Sequence, residues 1–391
     1  MKKPATDRRQ YRTTVLVLGA LSAIGPFSID MYLPGFPAIA RDLNTDIAHV
    51  GLSLTSYFIG ISVGQMIYGP LMDRFGRRKP PMLGLSVYTA AALGCAFSPS
   101  ISFLITMRLF LALGGCVGIA GARAVVRDLF SGKEAARVLS TLILIFGVSP
   151  IVAPTVGWIL ASTLGWRFIF LILAVIVAFV LSVMIRFLEE SKGADTSISL
   201  HPKNVIHGYI NLFKEPEFIR YACVTSAGTA GFFSYISGSP FVYMNLFGLT
   251  ATQFGWMYGV NAMGLVAASQ INRRWLRVMN GHEILLILVS AQFCAAMTMV
   301  AGSFVGLLNS MGIIGLIFCF VCGHGIVNPN AMALTMEPLF TRHAGSAAAM
   351  MGCIQMVAGA PASALVSYLY NGTAMPMIWM MALNNPSLQT S

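Results

Sequence analysis

The sequence predicts an all-α integral membrane protein of about twelve transmembrane helices. Of the 391 residues, 56% are hydrophobic and 10% charged, and the mean hydropathy is +0.74. Soluble domains carry roughly 25% charged residues, so a soluble fold has no means of hiding this much apolar surface. Runs of about 20 apolar residues recur along the chain, the length a helix needs to cross about 30 Å of hydrocarbon. The strict alternation of a membrane barrel is absent. Because backbone groups in lipid must be satisfied internally, each run is predicted to be helical. The spans fall near 14–36, 50–70, 81–98, 102–124, 138–162, 167–187, 219–243, 253–272, 284–304, 310–335, 345–369 and 374–383.

Charge fixes the orientation. The net charge of +11 suggests nucleic acid only until its distribution is read. With these spans, Arg41 and Arg167 fall on one side, Arg108 lies inside the membrane, and the remaining Lys and Arg gather on the other side. That asymmetry marks the cytoplasmic face. It places both termini there, beginning with Lys2, Lys3, Arg8, Arg9 and Arg12, and excludes a nucleic-acid surface. The first span is too long for a cleavable signal, lacks a small-residue cleavage site and is expected to be retained. All seven cysteines lie in apolar spans and read as free thiols. Cys319-x-x-Cys322-x-His324 has the look of a metal site but lacks the further ligands a structural zinc needs, so neither metal nor cofactor is expected.

The polar stretch from Leu188 to Arg220 divides the chain into an N-terminal bundle (1–187), a cytoplasmic linker (188–218) and a C-terminal bundle (219–391). Within the linker, NVIHGYINLF has the pattern of a short amphipathic surface helix. The halves echo each other at an offset of about 205. Gly25-x-Phe27-Ser28 matches Gly231-x-Phe233-Ser234, Gln65 matches Gln270, and a basic loop follows each Gln. Two six-span repeats about an axis along the membrane normal are a known transporter architecture.

The loop after span 2 reads Gly69-Pro70-Leu71-Met72-Asp73-Arg74-Phe75-Gly76-Arg77-Arg78-Lys79. It is similar to motif A of the major facilitator superfamily, G-x-L-x-D-R-x-G-R-R. Ser28-Ile29-Asp30-Met31-Tyr32-Leu33-Pro34, Arg108 to Gly115, Ala122 to Asp128 and Asn330-Ala331-Met332-Ala333 together resemble its Bcr/CflA subfamily of bicyclomycin and chloramphenicol resistance transporters. The resemblance extends to about Trp379 and implies two six-helix bundles around a central cavity. It further implies a monomer in the bacterial inner membrane that exports apolar or amphipathic drugs in exchange for protons. An uptake symporter or facilitator for a metabolite is the competing reading. Neither is an enzyme.

By the same resemblance, motif A is a conformational latch comprising Gly69, Asp73, Arg74, Gly76, Arg77, Arg78 and Asp128. Asp73 is expected against the start of span 11, where exposed N–H groups favour a carboxylate, and Arg77 is expected to pair with Asp128. Gly147, Pro150, Pro154 and Gly157 in span 5 resemble the antiporter motif C, although Trp158 stands where that motif has a second glycine. Such a helix can kink or pack closely. Where motif B has a Gln, this chain has Leu111.

Ionisable residues inside a membrane are costly and point to function. Asp30 lies about 12 Å, and Arg108 about 10 Å, below the outer boundary at 1.5 Å per residue. They share a depth, which makes them the proposed proton-coupling pair. Scarcity of water and a neighbouring guanidinium act in opposite senses on such a carboxyl, and their balance sets where it titrates. Arg108 stays charged, so it tunes without carrying the proton. The alternatives are a kink residue before Pro34 for Asp30 and a bond to carbonyls for Arg108. Tyr32, Tyr57, Phe232, Phe233 and Tyr235 are placed to offer aromatic faces to a substrate, or to pack against neighbours. Met375 to Leu383 supplies about nine apolar residues, or about 14 Å of helix, so the final span reads as truncated and is expected at the interface or in the outer leaflet.

Overall fold

In a computed structural model of the chain, residues 8–130, 132–188, 190, 193, 216–305, 309–336 and 344–384 are described. These residues are helical throughout their long elements, with no strand among them. Nine of the spans read from hydropathy are single helices, Ile47–Phe75, Lys79–Ala96, Gly132–Thr163, Arg167–Phe187, Ala251–Trp275, Gly281–Phe304, Ser310–Met336, Ala344–Tyr368 and Met375–Leu383, and span 1 begins as Arg8–Asp30. Span 4 is two helices, Ile101–Gly115 and Val117–Leu129, which join at Cys116. Span 7 is Pro216–Pro240, continued by one wide π turn over Phe241–Leu246. Among the described residues, six helical stretches have the length and hydropathy that crossing requires, one of them Thr13–Asp42.

Span 1 shows how local sequence shapes the fold. Its α-helix stops at Asp30, and the chain turns through a short 3-10 segment, Leu33–Gly35, into a second helix, Phe36–Asp42. Pro34 has no N–H to continue the ladder. The turn is closed by Tyr32 N–H donating to the Ile29 carbonyl at 3.3 Å.

The chain divides into two compact units, Met1–Asn44 with Ile59–His207, and Thr45–Phe58 with Gly208–Ser391. The boundary therefore falls inside span 2, whose first turns group with the second unit, while most of the linker, including NVIHGYINLF, lies outside the described residues. In the first unit, span 1 packs on spans 4 and 5, and span 3 on spans 4 and 6. In the second, span 7 packs on 10 and 11, and span 9 on 10 and 12. Each pairing in one unit is the other's shifted by six spans, so the echo seen in sequence is an internal structural repeat. Ser28 and Ser234 even make the same hydroxyl bond to the carbonyl four residues back, at 2.6 Å and 2.8 Å.

Small residues let the helices meet backbone to backbone, as close membrane crossings require. A Cβ on Gly157 would lie 2.1 Å from the Met31 carbonyl, and one on Gly114 would lie 2.4 Å from the Gly84 carbonyl. In the second unit, a Cβ on Gly325 would lie 2.5 Å from the Leu265 carbonyl. Val224, Leu285, Val289, Val327 and Ala331 form a core between spans 7, 9 and 10. Asn330 donates at 2.8 Å to Asn272, tying span 10 to the basic end of span 8. In the first turns of span 2, Thr55 bonds Ser363 at 3.2 Å and Phe58 stacks on Phe233 at 4.1 Å. The last helix is as short as the sequence predicts. It has nine residues, and Met377, Ile378 and Met381 are buried against spans 7 and 9.

Gly157→Val is expected to cost about 1–3 kcal/mol by overpacking against Met31, and thus to lower the melting temperature in detergent. Gly315→Ala, whose Cβ would meet nothing within 4 Å, is expected to hold or raise it. Equal melting of both variants would show that the close approach does not hold spans 1 and 5 together.

Candidate functional site

The end of the first helix creates the first site. When an α-helix stops, its last carbonyls lose their intrahelical donors. With Tyr32 N–H bonded to Ile29, the Ser28 carbonyl is open to another donor, and Arg108 Nη1 supplies it at 2.8 Å. Arg108 is 0% exposed. Its guanidinium lies over the Tyr32 ring at 4.4 Å and near Phe170 at 5.8 Å, an arrangement that stabilises a desolvated cation. The carbonyl bond raised as an alternative is therefore present. It also brings the charge to the turn that carries Asp30, two residues or about 3 Å along the axis. Asp30 is itself buried at 4% exposure. The Ser28 hydroxyl adds a 2.6 Å bond to Tyr88, so spans 1, 3 and 4 meet at one residue.

The second site is the turn after span 2. Gly76 has φ +89, a conformation that favours glycine. This turn aims successive N–H groups at one point, and such a nest binds anions. The anion is Glu190, just past span 6, which accepts from the N–H of Arg77 at 2.5 Å and of Arg78 at 3.2 Å. A Cβ on Gly76 would lie 2.7 Å from the same carboxylate. Arg77, buried despite its charge, donates from Nε to Asp128 at 2.8 Å, and Nη2 pairs electrostatically with Asp73 at 2.7 Å. Burial opposes its charge, but the bond to Asp128 and the charge of Asp73 more than offset this and raise its pKa above the usual arginine value. Arg78 reaches the Ile185 carbonyl of span 6, and Arg74 lies over Phe75 at 5.8 Å. Gly69 is within span 2, one turn before Asp73. The side chains at the start of span 11, against which Asp73 was expected, lie outside the described residues.

The antiporter-like residues share one continuous helix. Pro154 and Gly157 are buried, whereas the surroundings of Gly147 and Pro150 lie outside the described residues. Among the aromatic candidates, Tyr32 is packed between Arg108, Phe36 and Phe170. Tyr57 is buried with its ring edge toward Phe58, the residue that stacks on Phe233. Phe232 is half-buried and stacks on His324 at 4.6 Å, and Tyr235 accepts a 2.9 Å bond from Asn261. Glu190 and Asn261 were not singled out from sequence. The available signals were a glycine turn rich in cations with an acid close behind the facing span, and a lone amide in an apolar run.

A sequence profile described as Major Facilitator Superfamily matches residues 18–363. A Bacillus subtilis protein described as the uncharacterized MFS-type transporter YdgK is 34% identical, over 92% of this chain and 90% of its own. The bicyclomycin resistance protein homolog of Haemophilus influenzae is 29% identical, over 94% and 92%. The crystal structure of a D-xylose-proton symporter superposes with a TM-score of 0.75 over 96% of each chain at 12% identity, a likeness of fold alone.

Gly76→Ala adds backbone strain of about 1–3 kcal/mol and a collision with Glu190, so its melting temperature is expected to fall. In a Glu190→Ala background the same change is expected to cost less, because the collision is gone while the strain remains. Equal losses in the two backgrounds would show that the acid does not fill the turn.

Proposed function

The chain belongs to the major facilitator superfamily, and on that premise we propose that this multi-pass membrane protein exports small apolar or amphipathic drugs from the cytoplasm in exchange for protons. It acts as a monomer in a bacterial inner membrane with its N-terminus inside. The observation that carries the reading is a buried arginine anchored to the helix end beside a buried carboxyl, at a depth where lipid offers no solvent for either. Ionisable groups so placed mark ion pathways. Support for drugs as cargo comes from the relatives, among them one named for bicyclomycin resistance.

In the proposed cycle, Asp30 takes a proton from the outer side as substrate leaves, then loses it to the cytoplasm and favours new substrate. Arg108 tunes this exchange by its fixed charge and cannot carry the proton itself. One charge moved down 100 mV contributes about 2.3 kcal/mol, enough for nearly fiftyfold accumulation at equal pH. The turn of Gly76, Arg77 and Arg78 with Asp73, Arg74, Asp128 and Gly69 serves as the latch. Span 5, with Gly147, Pro150, Pro154 and Gly157, keeps the proton and substrate movements coupled by close packing on span 1. Uptake by symport is the opposite reading, and the sign of proton movement separates the two.

Everted vesicles energised to an acid interior test this directly. Adding a transported drug is expected to draw protons out through the wild type, seen as recovery of a quenched pH dye. Asp30→Asn keeps size and polarity but cannot cycle a proton, so recovery should fall at least tenfold with the variant still folded in the membrane. Wild-type recovery in Asp30→Asn overturns the assignment of Asp30, and substrate-driven proton movement in the opposite direction overturns export.

A further inference from the structure

We infer that Phe232, Tyr235, Asn261 and His324 form a ligand site within the second unit that takes a neutral aromatic ring bearing a hydrogen-bonding group. Three helices build it. Span 10 carries His324, 5% exposed, with its imidazole lying flat on Phe232 of span 7 at 4.6 Å and 9°. Phe232 tilts against Tyr235 at 6.0 Å, and Tyr235 stacks on Tyr258 of span 8 at 5.9 Å and 14°. Asn261, one turn beyond Tyr258, donates to the Tyr235 hydroxyl at 2.9 Å. The result is a run of aromatic faces with a polar atom at each end.

Those polar atoms point to a ligand. His324 Nδ1 and Asn261 Oδ1 are buried and have no hydrogen-bond partner among the described residues. Buried polar groups are as a rule paired, and two orphans on one aromatic cluster are the sort of sparse, convergent polar groups that orient a ligand in an apolar site. Phe232 is only half-buried, so the cluster has an accessible face. Room also flanks it along span 8, where Gly255 and Gly259 are buried yet a Cβ on either would meet no atom within 4 Å.

The ligand class follows from charge. No Asp, Glu, Lys or Arg occurs between Tyr221 and Asn272 or between Ile284 and Met336, so a charged ligand would be desolvated here without a counter-ion. A neutral aryl compound stacks on Phe232 and bonds His324 Nδ1 or Asn261 Oδ1 through a hydroxyl or amide. That such a compound is export cargo rests on the function proposed above.

The test is equilibrium binding of radiolabelled chloramphenicol, a neutral aryl amide with hydroxyl donors, to the purified full chain without a proton gradient. His324→Phe keeps the stacking but removes the polar atom, and is expected to weaken binding at least about tenfold, as loss of a buried hydrogen bond does. His324→Asn returns a polar atom near the Nδ1 position and is expected to restore binding to within about threefold. Asn261→Ala, on another helix, provides an independent loss should His324→Phe fail to fold. Absence of wild-type binding, or binding unaffected in all three folded variants, overturns the site. Equal dependence of cationic ethidium on His324 overturns the neutral class. If the expected contrast appears without drug-driven proton movement in vesicles, the site stands and export falls.

Discussion

The arrangement of the first unit depends on one carbonyl. Span 1 gives up its helix at Asp30, and the oxygen of Ser28 is left facing Arg108, which donates to it at 2.8 Å. In water such a group would be hydrated, but within hydrocarbon every backbone polar group needs a partner from the protein. The same bond solves the converse problem of housing a guanidinium with no solvent, aided by the faces of Tyr32 and Phe170. Helix termination, cation burial and the placement of Asp30 are thus one event. The close contact of Gly157 with the Met31 carbonyl fixes the next residue along and leaves the turn little freedom to drift.

At the turn after span 2 the logic is inverted, because charge is plentiful and geometry is scarce. Gly76 supplies a left-handed turn, Glu190 fills it, and Arg77 is drawn inward to Asp128 with Asp73 alongside. Spans 2, 4 and 6 are joined through this single loop, with the bond from Arg78 to the Ile185 carbonyl as a second link to span 6. A loop whose charges served topology alone would need neither the positive φ of Gly76 nor an acid within its turn.

Hydropathy made the spans legible to within a few residues, because exclusion of water acts on every residue of a crossing helix. What it missed are features that hydropathy does not encode. The break at Cys116 lies in an unbroken apolar run, and span 1 extends as helix back to Arg8, beyond its apolar stretch. The pairing of Arg77 with Asp128 was readable because the resemblance supplies both partners. Glu190 was not, since an acid in a polar linker looks solvated until the facing turn is known. Asp30 and Arg108 stood out as charges in apolar surroundings. The bond of Arg108 to Ser28, two residues before Asp30, depends on where a helix ends, which Pro34 hints at but does not locate. Asn261 and His324 were visible as polar residues, yet their aromatic neighbours are brought together only by the packing of spans 7, 8 and 10.

The backbone contacts at Gly114, Gly157 and Gly325 also bear on how such a protein changes over generations. Every missense change at a glycine codon adds at least a Cβ, and at these crossings the Cβ would strike main chain, which has no rotamer to yield. Selection for a new cargo therefore has few viable routes through the helix crossings. Adaptive variation is channelled to side chains bordering open space, where a ring such as Phe232 can be exchanged without moving a helix.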